Sequence, residues 1–117
     1  MKPLVSVIMI TYGHEKYIEE AIRGVFLQKT NFPLELIISN DNSPDSTDEI
    51  VKNIIKSAPE NISVNYIQHP ENIGMHHNFT SALRTAQGKY IAVCEGDDYW
   101  TDENKLQKQI NFLEKNE

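Results

Sequence analysis

The chain has 117 residues, of which 39% are hydrophobic and 24% charged, so it suits one globular domain and is not collagen-like, coiled-coil or disordered. Its 17 acidic and 11 basic residues leave a formal net charge of -6, which argues against a protein that binds nucleic acid by neutralising phosphates. Cys94 is the only cysteine, so no intrachain disulfide can form, and the expected location is the reducing cytoplasm.

Hydrophobic patterning alternates between strand and helix along the chain. Residues 4–10 form a short β-branched run that predicts a buried strand, and these seven residues are too few to span a bilayer. Further strands are predicted at residues 34–39, 63–68 and 89–94. Helices are predicted at residues 15–28, from 46 to before Pro59, at 75–87 and from 102 to the C-terminus. The order βαβαβαβα predicts a doubly wound α/β domain with a mainly parallel sheet and right-handed crossovers.

Local signals indicate how the helices begin, end and face the core. Ser46 and Glu49 have the spacing of a capping box at the start of the second helix. Gly88 is placed as the C-terminal cap of the third helix. The inward stripes of the last two helices are predicted to be Phe79, Leu83 and Ala86, and Leu106, Ile110 and Leu113.

Polar residues follow the predicted strands at the points where they end. In open α/β sheets, ligands bind beyond these carboxyl ends. Thr11 and Tyr12 can offer a ligand a hydroxyl and a stacking face, or can simply form a helix-entry turn. Asp41 can accept a hydrogen bond from a ligand N–H or a ribose hydroxyl, or can build an Asx-turn.

Residues 95–98, Glu-Gly-Asp-Asp, place three acids in one turn. A hard divalent cation would relieve their mutual repulsion, and Mg²⁺ or Mn²⁺ typically also bridges substrate phosphates. A solvated acidic turn before the last helix is the alternative interpretation. Motifs of other α/β enzymes are absent, because the sequence has no GxGxxG after the first strand, no P-loop and no nucleophile elbow.

Four short blocks of sequence, taken in their order along the chain, carry a resemblance to a known family and extend over essentially the whole chain. They are residues 5–12, residues 36–43, Asn72-Ile73-Gly74 with Asn78, and Gly88 to Ile91 leading to residues 95–98. Together they resemble the N-terminal, nucleotide-sugar-binding half of the GT-A glycosyltransferases of family 2. The resemblance implies a Rossmann-like GT-A fold over residues 1–117. It also implies that a nucleotide-diphosphate sugar, expected to be a UDP-sugar, is bound for glycosyl transfer to a hydroxyl of a saccharide or lipid-linked acceptor.

The resemblance also implies roles for individual residues. Thr11 and Tyr12 would line the nucleotide base pocket, and Asp41 would hydrogen-bond the uracil ring. Asp97 and Asp98 match the DxD acids that hold ribose and the Mn²⁺ or Mg²⁺ ion bridging the diphosphate. Such an ion would neutralise the departing UDP, and in inverting members a carboxylate base deprotonates the acceptor hydroxyl.

Three positions depart from the family pattern. Asn40 replaces the first acid of an Asp-Asp pair, and Glu95 replaces the first acid of Asp-x-Asp-Asp. His77 stands where a basic residue usually precedes Asn78, so a diphosphate contact there would need a protonated imidazole.

The length of the chain bears on catalysis. The catalytic domain of the family is longer, and its acceptor half and catalytic base follow the DxD motif, so the base is expected beyond residue 117. The chain is therefore expected to be truncated relative to the full catalytic domain. The alternative is a non-catalytic α/β interaction module or an inactive fragment, whose uncovered apolar surface would favour self-association.

Overall fold

The computed structural model describes residues 2–115, in which strands and helices alternate as the patterning predicts. The strands are β1 (Val5–Thr11), β2 (Leu34–Asn40), β3 (Ile62–Gln68) and β4 (Tyr90–Val93). The helices are α1 (Ile18–Phe26), α2 (Thr47–Ile54), α3 (Met75–Thr85) and α4 (Lys105–Lys115), and a 3-10 turn at Ile55–Ser57 extends α2. The predicted C-terminal end of the last helix lies in residues 116–117, outside the described residues. Within residues 2–115, no helix is both long and apolar enough to cross a membrane.

The four strands form one parallel sheet in the order β3-β2-β1-β4. The chain therefore adds β2 and β3 on one side of β1 and then crosses to add β4 on the other. Open α/β sheets bind ligands at the carboxyl edge where the strand order reverses in this way. In this sheet that point lies between β1 and β4.

Helices cover both faces of the sheet, which confirms the doubly wound α/β fold. Every residue of β1 and β2 is buried. Val5, Val7 and Met9 belong to the larger core cluster, together with the buried residues of α1, α2 and α4. Ile8 and Ile10 instead form a smaller cluster with Ala82 and Phe79 of α3. Each fully buried aliphatic side chain contributes about 1.5–3 kcal/mol, so this central strand pair holds the domain together.

Three details of the predicted helices are wrong, of which Gly88 is the last. Ser46 forms no side-chain capping bond; instead Asp45 Oδ1 accepts from Thr47 N at 3.0 Å and from Thr47 Oγ1 at 2.6 Å. Asp45, one residue before Ser46, thus accepts the hydrogen bond from the first backbone N–H of α2. The predicted inward residues Leu83 and Leu113 are instead exposed, at 40% and 42%. α3 packs over β1 and β2 through Phe79, Ala82 and Ala86, and Leu83 is not part of that cluster.

Gly88 is not a helix cap, because α3 ends at Thr85 and Ala86 is already extended. A Cβ at position 88 would lie 2.6 Å from Ser6 N and 2.8 Å from the Val5 carbonyl carbon. The Gly88 N–H donates to Ser6 Oγ at 2.8 Å, and Ser6 Oγ donates to the buried Glu35 carboxylate at 2.7 Å. Glycine is therefore required here for the close approach of the chain to β1 before it enters β4.

We expect Gly88→Ala to lower the free energy of unfolding by about 1–3 kcal/mol, because the new methyl group would overlap the backbone of β1. Urea denaturation followed by circular dichroism measures this change. Gln87→Ala is the matched control, since it alters an exposed side chain and keeps the backbone N–H that donates to Glu35. Equal stability of Gly88→Ala and the wild type would contradict the steric argument.

Candidate functional site

A pocket with a cavity volume of about 480 Å³ lies at the carboxyl edge of the sheet. It is lined by Ile10, Thr11, Tyr12, His14, Asp41, Asn72, Gly74, Met75, Asn78 and Glu95. Three residues singled out from the sequence, Thr11, Tyr12 and Asp41, are brought together here although they follow two different strands. Asp97 and Asp98 do not line the cavity, but they belong to the same turn as Glu95, which does.

The end of β1 forms one wall of the pocket. Thr11 is buried and Tyr12 is half exposed. Thr11 Oγ1 lies 2.9 Å from His14 Nδ1, and His14 Nε2 lies 3.9 Å from Asp97 Oδ2. His14 thus links the β1 loop to the acidic turn after β4. Sequence reasoning missed His14, because its only sequence signal is its place three residues after Thr11.

Gly96 allows the acidic turn to pack against this wall. A Cβ at position 96 would lie 2.7 Å from Thr11 Oγ1 and 2.8 Å from His14 Nδ1. The Gly96 N–H donates to the Ile10 carbonyl at 3.0 Å, which continues the pairing beyond the end of β4. Position 96 therefore needs a glycine, because the acidic turn lies too close to Thr11 and His14 for a larger side chain.

Asp41 lies at the end of β2 and is 6% exposed. Its carboxylate accepts hydrogen bonds from Ile73 N at 2.7 Å and Gly74 N at 3.0 Å. Asn72 Nδ2 donates to the Asp41 carbonyl at 2.5 Å. The local turn after β2 is instead held by Asn40, whose Oδ1 accepts from the backbone and side chain of Ser43. The Asx-turn interpretation of Asp41 is therefore wrong.

The first turn of α3, which follows the segment after β3, is anchored to the end of β2 by Asn78. This buried side chain donates through Nδ2 to the Ser39 carbonyl at 3.0 Å and accepts from Ser39 Oγ at 2.5 Å. His69 Nε2 lies 3.1 Å from the same hydroxyl. His77, in contrast, is exposed and does not line the cavity.

The loops after β1 and β2 hold each other through hydrogen bonds between residues about 30 positions apart. Gly13 N donates to Ser43 Oγ at 3.0 Å, His14 N to Thr47 Oγ1 at 3.1 Å, and Glu15 N to Asp45 Oδ2 at 3.2 Å. Partial burial raises the pKa of Asp45, but hydrogen bonds from Thr47 and from the Glu15 backbone outweigh it and lower the pKa below its ordinary value. Hydrogen bonds between the two loops therefore hold this pocket wall in place without a ligand.

The acidic turn after β4 carries three carboxylates, the oxygen donors that hard divalent cations prefer. Glu95, Asp97 and Asp98 are all exposed, and Asp98 Oδ1 accepts from Tyr99 N at 2.8 Å. Across residues 2–115, no three His, Cys, Asp or Glu side chains converge as a metal site. Mg²⁺ and similar ions are usually held by one or two carboxylates together with substrate phosphates and water. The oxygen donors of this turn fit an ion shared with a phosphate ligand.

Cys94 lies directly before this turn but is buried. Burial, and then the negative charge of Asp98, raise the pKa of its thiol to about 12. Because the thiolate is the reactive form, Cys94 has the character of a core residue.

We expect native Cys94 to resist alkylation by iodoacetamide at pH 8 and to react fully once urea exposes the thiol. Mass spectrometry of the labelled chain measures the extent of reaction. Labelling of the native protein at the rate of a free thiol would contradict the buried, high-pKa environment.

The model of the family described as Glycosyl transferase family 2 matches residues 6–117, nearly the whole chain. The chain belongs to glycosyltransferase family 2. An uncharacterized protein of Mycobacterium tuberculosis is 44% identical over 110 residues, covering 94% of this chain and 31% of that protein. TuaG of Bacillus subtilis, provisionally named a teichuronic acid biosynthesis glycosyltransferase, is 39% identical over 112 residues, covering 96% of this chain and 42% of TuaG.

Solved structures with the GT-A, Rossmann-like fold resemble this family 2 domain. S. aureus TarS 1-349 in complex with UDP has a TM-score of 0.81 and 28% identity, covering 98% of this chain and 32% of that chain. A mannosyltransferase from Pyrobaculum calidifontis, in complex with GDP-Man and Mn²⁺, has a TM-score of 0.84 and 26% identity, covering 97% of this chain and 33% of that chain. This chain therefore spans about a third of the length of each of these two crystallised chains.

Proposed function

We propose that this family 2 domain binds the nucleotide-diphosphate sugar donor of a glycosyltransferase, with a UDP-sugar as the expected donor. The observation that carries the proposal is the pocket at the point where the strand order reverses, with Thr11, Tyr12 and Asp41 in its lining and the acidic turn beside it. Similar structures support it, because TarS is bound to UDP or UDP-GlcNAc and the Pyrobaculum mannosyltransferase to GDP-Man.

The residues after β1 and β2 would take the nucleotide base. The half-exposed ring of Tyr12 offers a stacking face at the pocket wall, and Thr11 and Asp41 lie deeper. Aromatic side chains bind bases by stacking, which tolerates different bases. The two braced loops would hold these side chains in place, so little conformational entropy need be lost on binding.

The charge of the pocket favours metal-assisted binding of the diphosphate. The lining includes the carboxylates of Asp41 and Glu95. Among the described residues 2–115, no lysine or arginine lines the pocket. A diphosphate would be repelled by these carboxylates unless a cation were placed between them. Asp97 and Asp98 would hold Mn²⁺ or Mg²⁺ there, and such an ion, when bound, neutralises the charge of the departing nucleotide.

Completion of the transfer would need residues outside this domain. The acids after Asp98 within residues 2–115, Asp102, Glu103 and Glu114, do not line the pocket. We therefore propose that the catalytic base and the site for the saccharide or lipid-linked acceptor come from the portion of the relatives' length that this chain does not span. A cytoplasmic location stays a prediction that rests on the single cysteine.

Calorimetric titration of UDP and UDP-sugars, with Mn²⁺ and with EDTA, tests the donor site. We expect binding to be at least about tenfold tighter with Mn²⁺, because an ion held by Asp97 and Asp98 would offset the repulsion between the carboxylates and the diphosphate. Asp98→Ala should remove this metal-dependent gain.

The matched control is Glu103→Ala, which removes an acid of the same region whose carboxylate pairs with Lys29 on the surface. Unchanged metal dependence in Asp98→Ala would contradict the metal assignment. Absence of UDP binding in either condition, by a chain shown to be folded, would contradict the donor-site proposal.

A second candidate function is self-association, favoured by the open side of β4. Within residues 2–115, β4 pairs with β1 on one edge only. Ile91 and Val93, which point to the same face, are 44% and 50% exposed. An unpaired strand edge with exposed apolar side chains is a template for pairing with another chain.

Light scattering over a range of protein concentrations tests this candidate. We expect the average mass to rise with concentration, and Val93→Lys to suppress the rise by charging the strand edge. Leu27→Lys is the control, since it charges an equally apolar exposed position away from β4. A wild-type mass that stays monomeric at every concentration would count against self-association.

A further inference from the structure

We propose that His14 is a positioning residue, whose ring is held by the β1 side of the pocket and orients the carboxylate of Asp97 in the acidic turn. This role deepens the proposed function and rests on it, because the orientation of Asp97 matters to a donor only if the donor binds beside the turn. The contacts of His14 carry the proposal, first those of its backbone and then those of its ring.

The backbone of His14 is fixed at both its N–H and its carbonyl. The N–H donates to Thr47 Oγ1 at 3.1 Å, which ties the residue to the start of α2. The carbonyl accepts from Tyr17 N at 2.9 Å and from Ile18 N at 2.8 Å, which ties it to the start of α1. His14 therefore presents its side chain from a backbone that two helices hold.

The ring of His14 is fixed by Thr11 and Gly96. Thr11 Oγ1 lies 2.9 Å from Nδ1, and Thr11 itself is buried, so this ring nitrogen is engaged inside the pocket wall. The backbone of Gly96 also passes close, since a Cβ there would lie 2.8 Å from Nδ1. These two neighbours restrict the orientations that the ring can adopt.

The other ring nitrogen faces the acidic turn. Nε2 of His14 lies 3.9 Å from Asp97 Oδ2. A bare Nε2 would repel this oxygen, whereas an Nε2–H attracts it, so the tautomer that suits the site accepts from the Thr11 hydroxyl at Nδ1 and carries its hydrogen on Nε2. The distance is longer than a hydrogen bond, so the contact is an electrostatic attraction of modest strength.

Asp97 gains from such a partner because its side chain is 49% exposed. Among residues 2–115, His14 is the one side chain that pairs with it, whereas the neighbouring Asp98 accepts from Tyr99 N at 2.8 Å. An exposed carboxylate samples several rotamers, and fixing one of them on ligand binding costs free energy. By favouring one orientation beforehand, His14 would lower this cost for the contact of Asp97 with the donor or its metal ion.

NMR of the ligand-free protein tests the orientation directly. Three-bond couplings about χ1 of Asp97 report whether its side chain keeps one rotamer. We expect one dominant rotamer in the wild type and averaged couplings in His14→Asn, whose shorter side chain places no donor where Nε2 lies. In His14→Gln, the amide N–H extends about as far from the backbone as Nε2 does, so the dominant rotamer should persist.

Calorimetric titration of UDP in the presence of Mn²⁺ tests the consequence for binding. We expect His14→Asn to weaken binding about three- to fivefold, and His14→Gln to stay within about twofold of the wild type. In an Asp97→Ala background, His14→Asn should cause no further loss, because the carboxylate that it orients is gone.

His76→Asn is the matched control, because it removes an exposed imidazole of α3 that does not line the pocket. It should change neither the couplings of Asp97 nor the affinity for UDP.

Averaged couplings of Asp97 in the wild type, or unchanged couplings in His14→Asn, would overturn the proposal. An equal loss of affinity from His14→Asn with and without Asp97 would also overturn it, since His14 would then act on the ligand itself. Failure of the wild type to bind UDP would contradict the proposed function instead, while the couplings of the ligand-free protein would still decide whether His14 orients Asp97.

Discussion

The burial of β1 and β2 on both faces is the constraint on which the rest of the structure depends. Most side chains of these strands are apolar, and the polar pair Ser6 and Glu35 is buried and hydrogen-bonded within the sheet, so the polar residues that a ligand needs lie where the strands end. Because the sheet is parallel, its carboxyl ends meet at one edge. The pocket of this glycosyltransferase family 2 domain is a consequence of that arrangement.

Precise placement of the pocket residues comes from hydrogen bonds between loops. The β1 and β2 loops brace each other through Ser43, Asp45 and Thr47, and Asp41 holds the segment before α3. Such mutual support keeps a binding site close to its working geometry without a ligand. Asp45 and Asp41 therefore shape the pocket through the loops that they hold.

Electrostatics sets the remaining condition for ligand binding. Carboxylates of the lining and of the acidic turn surround the place proposed for the diphosphate, and the overall charge of the chain is also negative. A diphosphate bound there needs a positive partner, and the exposed oxygens of the turn suit a hard divalent ion. Gly96 matters to the same chemistry, because it lets this turn approach Thr11 and His14.

The sequence by itself determined the alternation of strands and helices, the α/β class and the gathering of Thr11, Tyr12 and Asp41 at one edge, since each follows from local periodicity and parallel pairing. Tertiary structure decided that Asp45 and not Ser46 caps α2, and that Gly88 serves a close approach to β1. It also decided the partners of His14 and Asp41. The Asp45 cap is a local contact between residues two positions apart. The contacts of Gly88 with Ser6, of His14 with Asp97 and of Asp41 with Ile73 instead join residues from about thirty to more than eighty positions apart, which hydrophobic periodicity does not encode.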